Sequence, residues 1–190
     1  MTGKRPNSCT NLNKALLRLA GSDESFLDIR ATLANVIVGQ LRSDCVVKGG
    51  SQLKLRFGPL PSEIVQIFDK LGFSDPEPIP LMPLKYQVAQ KLHGLTAKDS
   101  DRVRDVIDLQ LIARAGIDLS SVRSICEQLF AYRKCQPWPP KVEKGKNWDS
   151  LYNAARGALP VCPTVDEAID WANDFITKID KVEDRGSDHA

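Results

Sequence analysis

Residues 101 to 112 set the predicted architecture and read Asp101-Arg102-Val103-Arg104-Asp105-Val106-Ile107-Asp108-Leu109-Gln110-Leu111-Ile112. Wound as a helix, this segment is apolar over most of its circumference, so we predict a central helix at about Asp101 to Ala115. Asp105 and Asp108 share a narrow face at i and i+3 spacing. Carboxylates on a buried helix are usually paired with basic residues. We expect either a structural ion pair with Arg104 or Lys91, or a functional carboxylate that orients a lysine or accepts a proton.

The preceding predicted helix, residues 84 to 95, carries a lysine at an unexpected position. An apolar arc of about 80° on this helix is formed by Leu84, Val88, Leu92 and Leu95. Lys91 falls at the edge of that arc. Two interpretations remain open. Its four-carbon stem can snorkel to the surface, or its ammonium can be buried facing a phosphate, since a desolvated cation needs an anionic partner.

Helical periodicity runs through most of the chain. Two amphipathic helices open it, the first ending at Gly21 and the second with Ser25 as a possible N-cap. A third apolar stripe ends at Gly72. Thr164 and Glu167 form a capping-box pattern ahead of the last helix. The pattern predicts an α+β fold that is predominantly α.

A proline-rich stretch, residues 75–83, divides the predicted architecture. Before it, the β-branched run at residues 45–47 predicts a short strand. We expect a partial lobe over residues 1–74, a connector over 75–83, a helical domain over 84–182 and a disordered tail over 183–190.

The turn Lys48-Gly49-Gly50-Ser51 is a candidate nucleotide-binding site. A strand that ends in Gly-Gly-Ser leaves backbone N–H groups and a hydroxyl free to face a phosphate. The turn lacks the spacing of the G-x-x-x-x-G-K-[ST] phosphate loop. A plain strand-to-helix turn is the alternative interpretation.

Residues 132–148 interleave cations with aromatic side chains and form a candidate nucleic-acid-binding segment. Its cations are Arg133, Lys134, Lys141, Lys144 and Lys146. Lysine and arginine would contact phosphates, while tryptophan or tyrosine would stack on unpaired bases. The alternative is a solvated loop anchored by core tryptophans.

Composition excludes several classes. A formal net charge of +2 is too small to imply a polyanion partner by itself. The five cysteines are scattered without a C-x-x-C pair, and the chain has only His93 and His189, so we predict neither a disulfide framework nor a zinc site. No stretch reaches the ~20 apolar residues that span a bilayer. We expect a cytoplasmic protein without membrane contact.

Three motifs, taken in order, resemble those of AbiEii-type nucleotidyltransferase toxins from type IV toxin–antitoxin systems. The motifs are residues 46–53, 83–93 and 102–109, and the resemblance covers most of residues 30–135. It implies a nucleotidyltransferase-like N-terminal lobe followed by a helical bundle. It also implies Mg²⁺ and a nucleoside triphosphate as reactants, a tRNA-like RNA acceptor and a cognate antitoxin.

The same resemblance implies roles for individual residues. Gly50 and Ser51 would hold the triphosphate, Lys91 would contact it, and Asp105 or Asp108 would complete the catalytic site. Transfer of a nucleotidyl group would then rest on positioning and on charge neutralisation by metal.

The chain departs from the family pattern after Ser51. Members of this fold place an Asp-x-Asp metal pair on the strand soon after the Gly-Ser turn, whereas residues 52–70 contain only Glu63 and Asp69 as acids. We expect an internal deletion near Phe57 to Ser62, a truncated lobe and unknown metal ligands. Asp99-Ser100-Asp101 is interpreted as N-capping charge. The alternative function is an inactive remnant that acts as a protein- or RNA-binding helical module.

Overall fold

The structure is a computed structural model that describes residues 5–20, 22–41, 60–73 and 80–182. The chain divides into two compact units, Met1–Met82 and Pro83–Ala190. Several predicted features lie outside the described residues, namely the strand at 45–47, the turn at 48–51, residues 57–59 of the expected deletion junction and the tail at 183–190.

The first unit contains helices α1 (Cys9–Ala20), α2 (Asp23–Leu41) and α3 (Leu60–Lys70). They share a hydrophobic cluster formed by Leu16, Leu33, Val36, Ile67, Phe68 and Leu71. Helix α2 begins before Ser25, so the prediction that Ser25 caps it is wrong. The reason is that the N–H of Phe26 donates to the carbonyl of Ser22, which starts the helix one turn earlier.

Helix α3 ends in a Schellman motif, as its sequence predicts. Gly72 has a φ of 69°, in the left-handed region that favours glycine. The N–H of Phe73 donates to the carbonyl of Phe68 at 2.9 Å, and that of Gly72 donates to Asp69 at 3.0 Å. The rings of Phe68 and Phe73 lie 5.6 Å apart and complete the motif with an apolar contact.

The second unit contains α4 (Leu84–Leu95), α5 (Arg104–Arg114), α6 (Leu119–Arg133), α7 (Trp148–Arg156) and α8 (Val165–Asp180). Helix α4 packs against α5 and α6, while α5 also contacts α7 and α8. The described ranges contain eight helices and no β-strand, which confirms the predominantly α prediction. None of these helices combines the length and apolar character that crossing a membrane requires.

Helix α5 is the centre of the second unit, and most of its residues are buried. It begins at Arg104, three residues later than predicted. Its N-cap residue is Val103 and no side chain caps it, so the prediction that Asp99 and Asp101 supply the cap is wrong. Asp99 lies instead in the preceding loop, where it takes a left-handed φ of 56°.

The last helix, α8, has as its N-cap Thr164 of the predicted capping box, although the Glu167 carboxylate meets the Thr164 hydroxyl and not its backbone N–H. The Thr164 hydroxyl accepts the N–H of Glu167 at 3.3 Å and donates to the Glu167 carboxylate at 3.1 Å. Asp118 is the N-cap of α6, and its carboxylate accepts the N–H groups of Ser120 and Ser121. Hydrogen bonds from these two serines, chiefly the Ser120 hydroxyl, lower the pKa of Asp118.

Candidate functional site

Helices α4 and α5 bring Lys91, Asp105 and Asp108 together in one buried group, here called the Lys91 cluster. Lys91 Nζ lies 2.7 Å from Asp105 Oδ1 and 2.5 Å from Asp108 Oδ2. The lysine is 7% exposed, so its ammonium is buried and does not snorkel to the surface. Of the two basic partners considered for the carboxylates, Lys91 makes the ion pairs, whereas Arg104 is exposed.

The charge of the Lys91 cluster is balanced by a second cation. One ammonium and two carboxylates leave a net charge of −1, which is costly to bury. Arg102 Nε lies 2.9 Å from Asp105 Oδ2, and the Arg102 side chain is 57% exposed. Asp105 Oδ2 receives no aligned hydrogen bond from the described residues, so this contact is electrostatic. The four groups together are neutral, with the guanidinium on the solvent side.

The ammonium of Lys91 retains one hydrogen-bond donor for a ligand. A lysine ammonium has three N–H groups. Two of them meet Asp105 and Asp108, and no third partner is found in the part of the chain that the structure describes. The side chain keeps 9% of its surface exposed. The two carboxylates fix the direction of the ammonium.

A Mg²⁺ ion does not fit the Lys91 cluster as it stands. Within residues 5–20, 22–41, 60–73 and 80–182, no group of three or more His, Cys, Asp or Glu side chains is arranged to hold a metal. Asp105 and Asp108 offer two carboxylates, but the ammonium of Lys91 occupies the position between them that a cation would need. The cluster therefore provides fixed charge without a metal.

The loop between α4 and α5 is held in place by Ser100. Its hydroxyl donates to the carbonyl of Gly94 at 2.9 Å and accepts the N–H of Arg102 at 3.2 Å. Its own carbonyl accepts the indole N–H of Trp148 at 3.0 Å. These contacts fix Arg102 beside the cluster. Arg102 lies within a quoted motif, but nothing in the sequence singles it out as a site residue.

The five cations of the candidate nucleic-acid segment do not form one free basic surface. Lys144 Nζ lies 2.8 Å from Asp149 and 3.0 Å from Asp166, and the hydrogen bonds to these carboxylates raise the pKa of Lys144. Arg133 is turned toward His93. Lys134, Lys141 and Lys146 are exposed, and their side chains have neither an ion pair nor a hydrogen bond among the described residues.

The two tryptophans of residues 132–148 pack against other side chains of the second unit. This agrees with the alternative of a solvated loop anchored by core tryptophans. Trp148 is fully buried. Trp138 packs edge-on against Phe130 at 5.4 Å, and its N–H donates to Asp180 at 3.0 Å. Tyr132, by contrast, is 84% exposed. Of these aromatic side chains, Tyr132 is the one free to stack on a base.

His93 links α4 to the C-terminal end of α6. Its Nδ1 lies 3.2 Å from Arg133 Nη1, and its ring packs edge-on against Phe130. Because a guanidinium only donates, Nδ1 accepts and the ring proton belongs on Nε2. Burial, followed by the charge of Arg133, lowers the pKa of His93 below its ordinary value of 6.5. The folded protein therefore holds His93 neutral.

We expect acid to weaken the fold through His93. Below pH 6.5 the unfolded chain binds a proton that folded His93 resists, so this contribution to stability is complete above pH 6.5 and is lost as pH falls through the folded pKa. His93→Gln should lose less unfolding free energy than the wild type between pH 7.5 and pH 5. Urea denaturation at both pH values checks this, and equal losses in the two proteins would contradict it.

The family model for the nucleotidyl transferase AbiEii toxin of type IV toxin–antitoxin systems matches residues 58–174. No curated protein matches the chain. The matched region covers more than half of the 190 residues and contains the whole Lys91 cluster. It begins after the turn at residues 48–51, which therefore lies outside it. The family predicted from three ordered motifs is confirmed, and the chain belongs to the AbiEii nucleotidyl transferase toxin family.

Proposed function

We propose that this toxin-family protein transfers a nucleotidyl group from a nucleoside triphosphate to an RNA acceptor of the tRNA type. The observation that carries the proposal is the burial of Lys91 between Asp105 and Asp108. Apolar side chains of similar volume would fill this space without a desolvation penalty, so packing alone gives little reason for three charges. A site that binds phosphate groups would give a reason to keep these three charges.

In this proposal Lys91 contacts the triphosphate through its remaining N–H. Asp105 and Asp108, held one helical turn apart on α5, fix the direction of the ammonium so that little reorganisation is needed when phosphate charge develops. On the family resemblance, we also propose that the turn formed by Lys48, Gly49, Gly50 and Ser51 binds the triphosphate. Transferases of this family generally use Mg²⁺, and the ion is not assigned to the Lys91 cluster.

The RNA acceptor is proposed to contact the exposed part of the basic segment. Lys134, Lys141 and Lys146 are exposed and available to phosphates, and Tyr132 is available to a base. Arg133 and Lys144 already have partners and would contribute less. We further propose that the protein acts in the cytoplasm, where a cognate antitoxin opposes it.

Nucleotidyl transfer can be tested directly. The purified protein is incubated with each α-³²P-labelled nucleoside triphosphate, total tRNA and either Mg²⁺ or Mn²⁺, and label on RNA is resolved on a denaturing gel. We expect at least one nucleotide to label tRNA, and Asp108→Asn to reduce the rate by roughly 10²-fold, because the ammonium loses a charged partner. Lys178→Met, an exposed change on α8, is the control and should keep the wild-type rate.

The alternative is a protein- or RNA-binding remnant without catalysis. It is favoured by one observation, the lack of a metal-binding group among the described residues. No label transfer with any nucleotide under either metal would overturn the transferase proposal. Retained tRNA binding at low salt in the same preparation would then support the remnant, and a pull-down would identify a protein partner.

A further inference from the structure

The guanidinium of Arg102 lies on the exposed side of the Lys91 cluster, against the backbone of α4 at Gly94. An ideal Cβ built at Gly94 would lie 2.7 Å from Arg102 Nη1 and 3.0 Å from its Cζ. A side chain at position 94 would therefore push the guanidinium away. Gly94 lets the guanidinium of Arg102 lie directly against the backbone of α4.

The loop that carries Arg102 is also fixed by hydrogen bonds of Ser100. The hydroxyl of Ser100 binds both the carbonyl of Gly94 and the N–H of Arg102, and the indole of Trp148 holds the carbonyl of Ser100. Arg102 is thus placed beside Asp105 by backbone contacts and not by its own side chain alone. An arginine that is already placed loses less side-chain entropy when it binds a ligand.

Most donors of this guanidinium are left for a ligand. Arginine has five N–H donors. In the described part of the chain none of the Arg102 side-chain N–H groups makes an aligned hydrogen bond, although Nε is 2.9 Å from Asp105 Oδ2. More than half of the side chain is exposed. A phosphate can accept two parallel N–H groups from such a fork. Asp105 contacts both Arg102 and Lys91, so the third N–H group of Lys91 lies near the guanidinium.

We propose that Arg102, held by Gly94 and Ser100, is an anion-binding residue that binds the oligophosphate of the substrate together with Lys91. This inference rests on the proposed function for its biological meaning. The binding itself is a property of the chain that can be measured without any transfer reaction.

Three variants separate this role from a structural one, with inorganic triphosphate as the probe in calorimetric titrations at low salt. Arg102→Ala should weaken binding at least tenfold, and Arg102→Lys should restore part of it. Gly94→Ala should weaken binding by a smaller factor than Arg102→Ala, because a Cβ there crowds the guanidinium but the exposed end of the arginine can shift away. It should fold about as stably as the wild type, since alanine favours a helix by ~1 kcal/mol over glycine.

The matched control is Arg104→Ala, which removes the same charge from an exposed position two residues away. It should change triphosphate affinity less than twofold. The inference is overturned if the wild type binds no triphosphate, if Arg102→Ala binds as well as the wild type, or if Arg102→Ala and Arg104→Ala weaken binding equally. Nucleotidyl transfer that survives Arg102→Ala with unchanged binding overturns this inference alone. Arg102-dependent binding without any transfer overturns the proposed function alone.

Discussion

Lys91→Met should lower the free energy of unfolding of the second unit by about 3–5 kcal/mol, because it leaves two buried carboxylates without their cation. Asp105 and Asp108 are both less than a tenth exposed as residues, and each loses a short hydrogen bond. Guanidinium denaturation followed by tryptophan fluorescence measures the loss. All three tryptophans lie in the second unit, so the signal reports that unit.

The structure supplies a matched control for Lys91→Met. Lys144 also lies between two aspartates, Asp149 and Asp166, but these carboxylates are about two-thirds exposed. Lys144→Met should therefore cost less than about 1 kcal/mol. A charge-free variant, Lys91→Met with Asp105→Asn and Asp108→Asn, should recover most of the stability that Lys91→Met loses. Equal stability of Lys91→Met and the wild type would contradict the buried arrangement.

Trp148→Ala should also destabilise the second unit by about 3–5 kcal/mol, since it leaves a large cavity where a fully buried indole stood. The same change removes the N–H that holds the carbonyl of Ser100. Gly145 packs so closely on the indole that a Cβ there would overlap it, and glycine has no side chain to fill the space. Circular dichroism at 222 nm follows unfolding when the tryptophan is gone.

One further variant separates volume from hydrogen bonding at Trp148, and a second provides a comparison at Trp171. Trp148→Phe keeps most of the apolar volume and loses the indole N–H, so the hydrogen bond should account for only about 1 kcal/mol of its effect. Trp171→Ala removes a half-buried tryptophan that stacks on Phe175 at 5.0 Å, and its effect should be smaller than that of Trp148→Ala. A loss below 1 kcal/mol for Trp148→Ala would show that the indole is not a core residue.

Helical geometry made the Lys91 cluster predictable. Lys91 stood at the edge of an apolar arc, and Asp105 and Asp108 shared one face of an apolar helix, so each needed an opposite charge. Two packed helices then bring the three groups together. Gly72 and the Thr164 cap were predictable for a similar reason, since both depend on local backbone chemistry.

The position of Arg102 against Gly94 could not be predicted from helical periodicity. It depends on a loop whose path is set by the left-handed Asp99 and by the contacts of Ser100, and periodicity carries no information about such a path. The start of α5 was misplaced for the same reason. Lys144 was assigned to a free basic segment because its partner Asp166 is 22 positions away in the sequence.

The central claim is that the Lys91 cluster is a working site and not only a structural ion group. The most direct test compares nucleotidyl transfer to tRNA by the wild type and by the charge-free variant of Lys91, Asp105 and Asp108, after denaturation has shown that the variant is folded. We predict transfer by the wild type and a rate at least roughly 10²-fold lower in the variant. Transfer at the wild-type rate by the folded, charge-free protein would contradict the claim.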